Sequence, residues 1–117
     1  MPLLQHLHLN VRNRADSVAF YTHWFGFRAV KTKPDQTHLR NPHQFLLVLK
    51  DDPAPAPLPE WFHFGFVMDS PAQVLAAHAA MHAASVPIPQ APYQDELITV
   101  FRCADPDGHV SEVYWLA

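Results

Sequence analysis

The chain opens on an alternating pattern. From Leu4 to Val11, residues Leu7, Leu9 and Val11 fall on one face of a strand, with His6, His8 and Asn10 on the other. Asn13 then stands as a helix N-cap with Asp16 three positions on, and apolar residues at Val18, Phe20, Tyr21 and Phe25 carry the helix to Gly26, a natural left-handed terminator. The stretches FRAVKT, QTHLR and QFLLVLK read as three further strands, with turns near Pro34-Asp35 and Asn41-Pro42. A Pro- and Ala-rich linker, DDPAPAPLP, follows.

Beyond the linker the pattern restarts. Phe64, Phe66 and Met68 alternate with His63, Gly65 and Val67. Ser70, Pro71 and Gln73 supply an N-cap, a first-turn proline and a capping-box partner for an alanine-rich helix reaching about Ala84. Strands are expected around Val86 to Pro89, Leu97 to Ala104 and His109 to Trp115.

Both halves therefore read β-α-β-β-β. His6 lies seven positions before the cap Asn13, and His63 lies seven before the cap Ser70. In each half the residues one, three and five after the histidine are large and apolar, which duplication of a half-domain explains better than chance. The expected fold class is α+β, with the two modules forming a curved mixed sheet around a cavity.

Such an arrangement brings both histidines to one cavity. In DPDGHVSEVYW, the turn Asp105-Pro106-Asp107-Gly108 launches a last strand whose alternation puts Val110, Glu112 and Tyr114 on the inner face, with Ser111, Val113 and Trp115 toward the helix. A carboxylate on an apolar inner face is costly unless paired or coordinated. Two imidazoles and one carboxylate, His6, His63 and Glu112, make a facial triad that leaves metal positions open.

At these residues the chain resembles the vicinal oxygen chelate superfamily (glyoxalase, bleomycin resistance protein, extradiol dioxygenase). HLHLNVRNRADSVAFYTHWFGF resembles that family's first module, HFGFVMDSPAQVLAAHAAMHAASVPI the start of its second, and DPDGHVSE its closing turn and ligand. The resemblance implies a single domain over residues 1–117, with module one at 1–50, a linker at 51–60 and module two at 61–117. It also implies a divalent metal (Fe, Mn, Zn or Ni) on His6, His63 and Glu112, chelating adjacent oxygens of a small substrate in dioxygenase or lyase/isomerase chemistry. His8 and Tyr114 are then candidates for moving a proton. Arg102 either binds an anionic substrate oxygen or forms a salt bridge, to the rim or to Glu112.

Three departures narrow this. Four-ligand glyoxalases carry a glutamate where aligning Asn41-Pro42 on Asp105-Pro106 places Val48, and three-ligand relatives carry a tyrosine at the position of Arg102. The Lys- and Ser-rich loop of fosfomycin-type thiol transferases has no counterpart in QAPYQDELIT. That activity and metal-free drug sequestration of the bleomycin-resistance type are the competing readings. A homodimer is expected from the resemblance, since relatives often pair or exchange modules between chains.

Composition adds exclusions. The net charge of −3 and the lack of a Lys/Arg run argue against nucleic acid and anionic membrane as partners. No apolar stretch approaches the roughly 20 residues of a spanning helix, MPLLQHLHLN lacks the features of a secretory signal, and the lone Cys103 gives no sign of an oxidising compartment. A cytoplasmic protein is the default expectation. Cys103 is expected as a buried structural thiol, Trp24, Phe25, Phe64 and Phe66 as core, His78 and His82 as solvent-facing, and His109 at the surface.

Overall fold

A computed structural model describes all residues, 1–117. The elements run β1 (His6–Val11), α1 (Arg14–Phe25), β2 (Arg28–Thr32), β3 (Gln36–Arg40), β4 (Leu46–Asp51), β5 (Phe64–Val67), α2 (Pro71–Ala83), β6 (Gln90–Gln94), β7 (Ile98–Ala104) and β8 (Val110–Leu116). The expected pair of β-α-β-β-β modules is present. Each hydrogen-bonds as its own four-stranded mixed sheet, in the order β1-β4-β3-β2 and β5-β8-β7-β6. The chain divides into two compact units, Met1–Pro57 and Leu58–Ala117. No helix is long and apolar enough to cross a membrane.

Local chemistry sets the helix ends. Asn13 Oδ1 accepts from the Asp16 N–H at 3.2 Å, and Ser70 Oγ accepts from the Gln73 N–H at 3.2 Å. The Gln73 side chain reaches back to the Asp69 N–H at 3.0 Å, one residue earlier than a capping box usually does. Gly26 ends α1 at φ 70°, whereas α2 closes with Ser85 at φ 61° and the Val86 N–H on the Met81 carbonyl.

One expected strand is displaced. Residues 86–89 carry Pro87 and Pro89, which donate no hydrogen bond, so this segment terminates α2 and the ladder begins at Gln90. Even there, register slips between Gln90 and Tyr93, across Pro92.

The repeat is legible in the registers. His8 faces Val48 across β1 and β4, and Gly65 faces Glu112 across β5 and β8. His38 faces Val48 just as Arg102 faces Glu112. Val48 is thus the first module's counterpart of Glu112, as the turn alignment predicts, and His38 is the counterpart of Arg102.

In each module the helix covers one sheet face and buries its apolar row. Leu9, Val11, Leu39, Leu47 and Leu49 pack under α1 with Tyr21. Phe101, Cys103 and Val113 pack under α2 with Val74 and Met81. Cys103 is fully buried, its Sγ 3.6 Å from Ser111 Oγ, and burial pushes its thiol above the ordinary range. Trp24, Phe25, Phe64 and Phe66 are half-buried at the core margins. His82 is exposed, while His78 is half-buried with its ring 5.2 Å from that of Phe101, edge-on.

Candidate functional site

In the second unit, the sheet face away from α2 brings together several of the expected site residues. Glu112 lies mid-strand in β8, opposite Arg102 in β7. Arg102 Nε and Nη2 both lie 3.1 Å from Glu112 Oε2. Of the two readings the sequence left open for Arg102, this is the ion pair. His63 precedes β5, and its Nε2 lies 3.6 Å from the same Oε2. The side chains are 32%, 23% and 28% exposed for His63, Glu112 and Arg102, so ligand can reach a site partly shielded from water.

The imidazole is oriented from behind. Its Nδ1 lies 3.0 Å from the Trp61 carbonyl oxygen. A carbonyl only accepts, so Nδ1 carries a proton, and Nε2 is the nitrogen turned toward Glu112. This is how metal-ligating histidines are usually held, the far nitrogen donating to a carbonyl or carboxylate. Two ligand atoms each about 2.1 Å from a tetrahedral metal stand about 3.4 Å apart. The 3.6 Å separation fits that donor pair and is too long for a good hydrogen bond between the two groups.

Tyr114 shares this face, two residues beyond Glu112. Its ring lies over Gly65, where an added Cβ would stand 2.8 Å from Tyr114 Cε1. Gly65 is therefore needed for space. Replacing it with alanine is expected to displace the Tyr114 ring and cost about 1–3 kcal/mol by overpacking, read as a fall in the urea midpoint together with shifted Tyr114 ring resonances. An unchanged ring environment would contradict this. Beside the polar residues runs an apolar row, Tyr93, Val100, Tyr114 and Val67, aligned across all four strands.

His6 and His8 lie in the first unit, exposed on the face of β1 away from α1. His8 Nε2 is 2.9 Å from Asn10 Oδ1, and Asn10 Nδ2 donates to Asp52 Oδ2 at 3.2 Å. This chain fixes Nε2 as the protonated nitrogen, because Asn10 can only accept through Oδ1.

The sequence reading missed one further cluster and misplaced one residue. Asp105, Asp107 and His109 bring ligand-capable atoms within 4.8 Å of one another. His109, expected at the surface, is 7% exposed. The turn folds back on itself: Asp105 Oδ1 accepts from the N–H groups of Asp107 and His109, each at 2.9 Å, and the Asp105 N–H donates to the His109 carbonyl. That loop draws His109 inward, and its carboxylate oxygen is spent on capping the turn. The D-P-D-G-H spacing was the available signal, and it reads as a turn more readily than as a site.

The fold and sequence have recognisable kin. A possible glyoxalase from Bacillus cereus is 24% identical, with 93% of this chain and 95% of that one covered at a TM-score of 0.82. A glyoxalase/bleomycin resistance protein/dioxygenase family enzyme from Burkholderia phytofirmans is 18% identical, covering 97% and 98% at 0.82. A protein from Agrobacterium tumefaciens, solved by NMR, is 26% identical, covering 100% and 99% at 0.81. No protein of curated function matches the chain significantly. The family model for the glyoxalase/bleomycin resistance protein/dioxygenase superfamily matches residues 3–113, and the chain, with its two-module fold, belongs to that family, the vicinal oxygen chelate superfamily.

Proposed function

We propose that the protein is a metal-dependent enzyme acting on a small molecule with adjacent oxygens, through dioxygenase or lyase/isomerase-type chemistry. His63 and Glu112 are two ligands of one divalent metal, and His6 is the third, contributed by the first module of the same chain or of a partner copy in a homodimer. The observation that carries this reading is the orientation of His63, whose Nδ1 is held by the Trp61 carbonyl so that Nε2 faces a carboxylate oxygen 3.6 Å away. The donor set, imidazole and carboxylate, suits Fe(II), Mn, Ni or Zn. A metal there would act as a Lewis acid on the chelated oxygens. The Tyr114 ring lies over Gly65 on the sheet face that carries Glu112, and the Tyr114 hydroxyl and the His8 imidazole are the groups offered for proton transfer. The default compartment remains the cytoplasm.

One observation favours a second reading, a metal-free small-molecule binding protein. Glu112 already has its charge met by two Arg102 nitrogens on one oxygen. Elemental analysis followed by titration with Fe(II), Mn, Ni and Zn separates the two. The enzyme reading expects close to one equivalent per assembled site. Less than about a tenth of an equivalent, with no uptake on addition, would overturn it.

A further inference from the structure

The two modules share a scaffold, but their open sheet faces differ in charge. All the Lys and Arg residues except Arg102 fall in the first unit, against only Asp16, Asp35, Asp51 and Asp52 among the acids. On the face away from α1, Arg28 lies directly opposite Arg40, and Lys31 directly opposite His38. Cross-strand partners share a face, so both are like-charged or cation–imidazole pairs. A register shift between Ala29 and Lys31 makes this possible, because it moves Val30 out of phase and turns Lys31 toward His38. Lys50 stands one row along, opposite Gln36.

None of these charges has an acidic partner on the strands. Asp51 pairs with Arg14, Asp35 sits in the β2–β3 turn, Asp16 is on α1, and Asp52 is held by Asn10 beyond the far end of β1. Arg40 places Nη1 on the Gln44 carbonyl at 2.6 Å, which fixes its guanidinium without neutralising it. The surroundings register at His38: partial burial first, then Lys33, Lys31 and Arg40, hold its imidazole below the ordinary histidine range.

Like charges set directly opposite one another destabilise a sheet. A bridging anion removes that cost and gains charge-assisted hydrogen bonds. We propose that Arg28, Lys31, His38 and Arg40 form a binding site for a small multiply charged oxyanion, a phosphate- or carboxylate-bearing molecule. The acidic second unit of another copy fits this face less well. Its carboxylates sit mostly on turns, at Asp69, Asp95, Asp105 and Asp107, and only Glu112 lies on its open sheet face. The site shares its sheet face with His6, which lies two strands from Arg40 in the same row, but takes none of its four residues from the metal reading.

The test uses the full-length protein without added metal, titrated with pyrophosphate and with tricarballylate, at an ionic strength of about 100 mM, where screening confines charge effects to about 10 Å. The expected result is saturable binding that shifts β2–β3 resonances and moves the His38 titration to higher pH. The tighter of the two probes names the ligand as phosphate- or carboxylate-bearing. Arg40→Gln and Lys31→Gln are each expected to weaken binding about tenfold. Arg12→Gln, which removes the same charge from a loop, should change it by less than about twofold. Arg28→Gln is expected to weaken binding while raising the melting temperature by about 1–5 °C, since it relieves the Arg28–Arg40 repulsion. Equal losses for Arg12→Gln and Arg40→Gln would reduce the effect to bulk charge and overturn the site. So would probe-induced shifts that sedimentation traces to dissociation of a dimer, which would give the face to a second copy.

Discussion

Glu112→Gln is expected to lower divalent-metal affinity by at least about 100-fold, and Arg102→Gln to raise it roughly tenfold. The first figure exceeds the 10–100-fold cost of disturbing a group that merely supports a ligand. The second follows from electrostatics: a unit charge about 5 Å from a divalent ion costs about 1.7 kcal/mol even at water-like screening. Arg102 places two nitrogens on Glu112 Oε2, the same oxygen that faces His63 Nε2, so guanidinium and metal compete for one atom. Glutamine at 112 keeps the shape and one acceptor for Arg102, which confines the loss of fold stability to about 1–2 kcal/mol for a pair this accessible.

Calorimetric titration with Mn or Zn against the two variants decides between the readings. Opposite signs support a metal on His63 and Glu112. If Arg102→Gln instead leaves metal uptake negligible and removes binding of a small molecule, the pair is a recognition element and the metal-free reading holds. His63→Ala belongs to the same experiment and should match Glu112→Gln.

The sequence made the repeat readable because alternation and helix caps are local. Asn13, Gly26, Ser70 and the apolar rows of β1, β5 and β8 each state their role within a few residues. The equivalence of Val48 and Glu112 was also within reach, since it needed only two similar turns. What stayed hidden depends on the path of the backbone. The Trp61 carbonyl that orients His63 belongs to a loop with no pattern. His109 is buried because its own turn closes on Asp105, which no hydropathy count reports. The cationic face of the first sheet exists only because of a register slip at Val30, and strict alternation would have split Lys31 from Arg28. The start of β6 failed for a simpler reason: two prolines withdrew the donors a strand there would need.

Phe101→Ala is expected to cost about 3–5 kcal/mol, toward the upper end of that range. The repeat explains why this position carries so much. In the first module the cross-strand neighbours Leu39 and Leu47 fill the space under α1, and the counterpart of Phe101 is the small Thr37. In the second module the counterparts of Leu39 and Leu47 are Cys103 and Ser111, a smaller pair, and the volume has moved to Phe101. Phe101 is fully buried opposite Val113 and meets the His78 ring edge-on at 5.2 Å. Truncation therefore leaves a cavity bordered on β7 and β8 by the small Cys103 and Ser111, which cannot fill it. Leu39→Ala, surrounded by Leu47, Leu49 and Tyr21, removes less volume from a better-filled layer and should cost about 2–4 kcal/mol. Urea unfolding with an unchanged m-value checks both. A Phe101→Ala loss below about 1 kcal/mol, or one smaller than that of Leu39→Ala, would mean that the second module is not packed around this side chain.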